Sequence, residues 1–84
     1  MDKEVVVMRG IAPWEFEEYF SSIGGNLTDK GSYVGDNWEV ELIKGFSMLG
    51  SMRIHETQII FYCEGEALEN MVKGFRLKFM RAGG

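Results

Sequence analysis

The sequence predicts an α+β domain: a single antiparallel sheet with the element order β-α-β-β-β-β-α and both helices packed on one face of it. Three observations carry this expectation. Apolar and polar residues alternate with period two between Trp38 and Cys63, whereas residues 13–23 and 66–79 repeat apolar positions every three or four. The chain has 84 residues, of which 45% are hydrophobic, enough for one thin core and one domain spanning 1–84.

The elements follow in order. Residues 4–9 (EVVVMR) are β-branched on both faces, which suits an interior strand. Gly10 turns the chain and Pro13 sits where a first helical residue is expected. Phe16, Tyr19, Phe20 and Ile23 then form one helical stripe, with Glu15, Glu17 and Glu18 near the favourable end of the helix dipole, before Gly24 and Gly25 end the helix. Residues 26–34, interrupted by Asp29, Lys30 and Gly31, read as a short edge strand, and Gly35, Asp36 and Asn37 as a turn.

Three strands are expected next, at 38–42, 46–54 and 58–64. A three-residue loop at Ile43, Lys44 and Gly45 would set Leu42 opposite Phe46, Val40 opposite Met48 and Trp38 opposite Gly50. A second turn through residues 55–58 would align Ile54 with Ile59, Met52 with Phe61 and Gly50 with Cys63. In the last segment Leu68, Met71, Val72, Phe75 and Phe79 form a helical stripe. Its rival is a strand after Gly74, because Phe75, Leu77 and Phe79 also alternate, and that reading gives a ferredoxin-like variant.

Several function classes have no residues to work with. Cys63 is the only cysteine and reads as a reduced core thiol; His55 is the only histidine and reads as a solvated turn residue at a strand end. No metal site, catalytic residue or cofactor site is therefore expected, and the chain is expected to be no enzyme. The start MDKEVVV lacks the pattern of a signal peptide and no apolar run reaches membrane-spanning length, so the expected place is the cytoplasm, with no membrane partner. The net charge of −4 is polarised: thirteen acidic and five basic residues precede Lys73, and the last twelve residues hold four basic and no acidic ones. A helix C-terminus accounts for those four.

Taken as an order of elements from residues 5–7 through 16–23 and 38–63 to 68–79, the chain resembles the TATA-binding-protein-like or helix-grip group. The ending EGEALENMVKGFRLKFMRAGG is also similar to the small domain following the sulfur-carrier part in proteins related to the small subunit of molybdopterin synthase. The first resemblance implies a helix-covered sheet with an open face. The second implies a setting in molybdenum-cofactor or sulfur-carrier chemistry. Glu39, Glu41 and Glu64 against Arg53 on the open face would repel phosphate, so no nucleic-acid partner is expected.

Three surfaces come into question. Leu49, Ile60 and Tyr62 are placed together by the expected register as an exposed patch on the open sheet face, the surface of a homodimer or a protein partner. Met48, Met52, Met71, Phe75 and Phe79 would line a cavity for a small apolar ligand between sheet and last helix. Gly83 and Gly84 resemble the tail through which ubiquitin-like sulfur carriers react, although those proteins begin with a β-hairpin and this chain with a strand leading into a helix.

Overall fold

A computed structural model describes residues 1–79. Its elements are β1 (Asp2–Arg9), α1 (Pro13–Ser22), β2 (Asn26–Leu27), β3 (Ser32–Val34), β4 (Trp38–Leu49), β5 (Met52–Cys63) and α2 (Gly65–Phe79). The order β-α-β-β-β-β-α is the expected one. All pairings are antiparallel, in one five-stranded sheet of order β1-β5-β4-β3-β2.

Within that order the strands are cut differently. The expected edge strand 26–34 is two short strands, β2 and β3, separated by a turn in which Gly31 N–H donates to Thr28 O (3.0 Å). The two expected strands 46–54 and 58–64 do not exist as separate units, and neither the loop at 43–45 nor the turn at 55–58 is formed. Instead β4 and β5 are one hairpin of twelve residue pairs, from Trp38 opposite Cys63 to Leu49 opposite Met52. It turns at Gly50 (φ 63) and Ser51, with glycine at the first position of the two-residue loop as primed turns favour. Leu42 faces Ile59 rather than Phe46, Val40 faces Phe61 rather than Met48, and Trp38 faces Cys63 rather than Gly50. Alternation within each strand is kept, but Met52 and Ile54, expected opposite Phe61 and Ile59, lie opposite Leu49 and Ser47 on the other face, and Gly50, expected opposite Cys63, is in the turn. Alternation does not say where the chain turns, and one long ladder makes more backbone hydrogen bonds than two short ones.

β1 lies at an edge, not in the interior: it pairs with β5 alone, and Val5 and Val7 point from the uncovered face. α2 is continuous to Phe79, so the ferredoxin-like variant is not adopted. Gly74 lies inside it, where a β-carbon would meet only the Tyr19 hydroxyl at 3.7 Å. The helix starts at Gly65 (φ 51), whose N–H donates to the Asp2 carboxylate (2.8 Å), so the first residue of β1 caps a helix that begins sixty-three positions later. α1 starts from extended Ala12 with Pro13 in its first turn, and Gly24 (φ 98) and Gly25 close it through bonds to Ser21 O and Phe20 O.

Both helices cover one face. Val6, Met8, Tyr33, Val40, Ile59, Phe61 and Cys63 rise from the sheet to meet Phe16 and Phe20 of α1 and Leu68, Val72 and Phe75 of α2. Phe75 is the centre: its ring lies within 6 Å of Phe16, Tyr19, Phe20, Phe61 and Phe79, stacked nearly parallel on Phe20. Burying an aromatic ring of this size contributes about 1.5–3 kcal/mol. The Trp38 indole covers residues without side chains, but these are Gly25 and Gly35, where a β-carbon would overlap the ring. Cys63 is buried and its thiol donates to Asn37 O (3.4 Å), as a core thiol should. The molecule is elongated, 41 × 31 × 21 Å, because the hairpin outruns the helices.

Candidate interaction surface

Up to Leu42 and Thr57 the hairpin is covered by helices; beyond them it projects as a two-stranded arm. Twelve residues in extended conformation span about 40 Å, whereas the ten residues of α1 span about 15 Å. The same alternation that fills the core therefore continues into solvent. Phe46 and Met48 carry on the helix-side row of Trp38, Val40 and Leu42 but are 53% and 65% exposed. On the opposite face Ile43, Leu49 and Met52 are also exposed.

The helix-side face of the arm has an ordered base. His55, which lies within β5 opposite Phe46 rather than in a turn, stacks on that ring at 5.2 Å. The Arg53 guanidinium, two residues from His55 on the same strand and face, sits 4.0 Å above the same ring, and exposed Trp14 meets His55 edge-on at 6.2 Å. Lys44 pairs with Glu17 of α1, and Arg9 Nε donates to Glu56 (2.6 Å). The Lys44–Glu17 pair and the Trp14–His55 contact hold the arm against the start of α1, and the Arg9–Glu56 pair ties β5 to β1 on the opposite face. A two-stranded ribbon would otherwise be marginal.

The predicted patch divides. Ile60 and Tyr62 are on the open face in successive rows, with Val5 and Glu41 flanking Ile60 and with Lys3 and Glu39 flanking Tyr62. Leu49 is at the arm's end, eight residues along β4 from the partner of Ile60, or about 27 Å. The expected grouping of Leu49 with Ile60 and Tyr62 is thus corrected by the longer hairpin; the neighbours of Ile60 are Val5 and Val7. The Tyr62 hydroxyl donates to Glu41 (3.4 Å). Desolvation, and after it the Glu41 and Glu39 carboxylates, hold this phenol above its ordinary range. Burial alone raises that of Tyr19.

The cavity residues also separate. Met48 and Met52 belong to the arm, and Phe75, which was to line the cavity, fills the space between sheet and α2 with no exposed surface. Gly83 and Gly84 lie outside the described residues. Among the described residues no group of three histidine, cysteine, aspartate or glutamate side chains is arranged to hold a metal ion, and no helix is long and apolar enough to cross a membrane.

Sequence reasoning missed Phe46, Met48 and Met52 as surface residues because their alternation is that of core residues. The signal for them was Gly50 followed by Ser51, a two-residue turn that doubles the strand length beyond what either helix can cover.

Fold and surface together define a small α+β domain in which two helices cover one half of a long hairpin and leave the other half bare. Residues 4–84 match the family model described as archaeal MoaD-like protein, and the chain belongs to that family. No curated protein and no solved structure matches, so the likeness to the TATA-binding-protein-like group rests on element order alone.

Proposed function

We propose that this chain is a non-enzymatic protein-binding module, accessory to molybdenum-cofactor or sulfur-carrier chemistry, that makes contact through its hairpin arm. One observation carries the reading: Phe46, Met48, Leu49 and Met52, each more than half exposed, are gathered on one projecting ribbon. Apolar side chains scattered over a surface are ordinary, but apolar side chains concentrated on a projection are a contact surface. Membership of the archaeal MoaD-like family supports the chemical setting.

Photo-crosslinking residues introduced at Leu49 and Met52 are expected to form an adduct with one defined protein in cells, a second copy included, and one at Asp36, exposed in the turn before β4, is expected to form none. Equal labelling at all three positions, or none at any, would retire the reading.

The family match extends through Gly83 and Gly84, which favours a second reading: a carrier acting through the carboxylate of Gly84. It requires that carboxylate to be adenylated by a matching activating enzyme and the reaction to vanish when Gly84 is deleted. An intact chain that is never adenylated removes it.

A further inference from the structure

The arm has an unpaired backbone edge as well as bare side chains. β3 pairs only with residues 39–41 of β4, so from Leu42 to Leu49 no strand among the described residues adjoins β4 on the side away from β5. The Trp38 carbonyl accepts the N–H of Gly35 (2.9 Å), so the even-numbered residues of β4 turn their backbone groups away from β5. By the same alternation Leu42, Lys44, Phe46 and Met48 present amide and carbonyl groups to the open edge.

Protein edges of this length are commonly blocked by a proline, a bulge or a charge. This one has no proline, its twelve-pair register has no bulge, and its one charged residue between Leu42 and Leu49, Lys44, is paired with Glu17 of α1.

We propose that the occupant of this edge is a second copy of the same chain, joined about a twofold axis by antiparallel pairing of residues 44–48 of the two β4 strands. The inference rests on the arm being the contact surface and names its partner. An antiparallel strand edge is its own complement about a twofold axis, each donor meeting the acceptor that it also presents. With the axis at Phe46, the two Phe46 residues face each other and Lys44 of each copy faces Met48 of the other, so no like charges meet. The Gly50–Ser51 turn of the second copy then stops level with Leu42, just short of the point where β3 begins to occupy the edge at Glu41.

The side chains beside this edge are bare as well. Ile43, Phe46, Met48 and Leu49 of β4 are 47–65% exposed. In the paired ribbon Phe46 meets Phe46 on one face and Ile43 meets Leu49 of the other copy on the opposite face, so apolar side chains cover one another on both sides.

The test is the mass of the purified chain by sedimentation equilibrium from micromolar to millimolar concentration, for wild type and for Met48→Pro. The Met48 N–H faces the open edge, so proline there breaks no bond of the β4–β5 ladder but removes a donor that the dimer needs. Wild type is expected to move from 9.6 kDa toward twice that mass, and Met48→Pro to stay at 9.6 kDa with an unchanged circular dichroism spectrum. Should proline disturb the fold, Met48→Lys, which sets a cation opposite Lys44 of the other copy, is expected to weaken dimerisation by about tenfold or more at low salt. A wild type that keeps 9.6 kDa throughout, or a correctly folded variant that dimerises as tightly as wild type, overturns the proposal. A monomeric wild type that still forms an adduct with another protein at Leu49 would reject the dimer and leave the module reading standing.

Discussion

The inner and outer halves of the β4–β5 hairpin are written in nearly the same residues and live in opposite surroundings. In the inner half Val40, Ile59 and Phe61 are fully buried beneath α1 and α2; in the outer half Phe46, Met48, Leu49 and Met52 are exposed. Both halves alternate, both are rich in apolar side chains, and they belong to one unbroken ladder. What separates them is reach, because the helices end where the arm begins. Apolar patterning specifies a face, and whether that face becomes core or contact surface depends on what is long enough to lie over it.

Truncating one ring in each half separates the two most strongly. Phe75→Ala, which empties the space above the inner half, is expected to cost about 3–5 kcal/mol in denaturant unfolding. Phe46→Ala removes only the stack on His55 and the Arg53 contact, and is expected to cost about 1 kcal/mol or less of the monomer's stability. Equal losses would mean that the arm is part of the core after all.

A smaller effect tests how tightly the inner half is closed. Gly35→Ala would drive a β-carbon into the Trp38 indole, and overpacking of this kind is expected to lower stability by about 1–3 kcal/mol. A neutral result would show that Trp38 is free to move aside.

At the boundary between the halves Thr57 is wholly buried, and its hydroxyl has no hydrogen-bond partner among the described residues. Thr57→Val keeps the shape and removes the orphaned oxygen, so thermal unfolding is expected to be unchanged or raised by the equivalent of about 1 kcal/mol. A clear loss would reveal a partner for that hydroxyl.

The smallest effect lies on the uncovered face. Folding raises the Tyr62 pKa, by desolvation first and then by Glu41 and Glu39, so the unfolded chain gives up this proton more readily than the folded one. The associated stability is intact below about pH 10 and is lost as pH rises through the folded midpoint. Glu41→Gln, which removes the nearer charge, is expected to lower that midpoint in a titration followed by the Tyr62 ring carbons; an unmoved midpoint would detach Tyr62 from Glu41.

Features under local control are legible in the residues alone. Pro13, the Phe16, Tyr19 and Phe20 stripe and the paired Gly24 and Gly25 specify α1. The stripe from Leu68 to Phe79 overrides the single Gly74 to specify α2. Alternation assigned Val40, Phe61 and Cys63 to one face and Ile60 and Tyr62 to the other.

Where the hairpin turns is a tertiary matter, because Gly45 and Gly50 are both competent turn residues; turning at Gly50 keeps Val40 and Phe61 on one face but sends Met52 and Ile54 to the other. The tertiary structure also decided that Val5 and Val7 lie on an edge strand, and that Leu49 belongs at the tip of an arm and not beside Ile60. These are questions of which strands meet over long separations. Periodicity is a property of each strand alone, whereas pairing and coverage arise from the lengths of the elements that pack together.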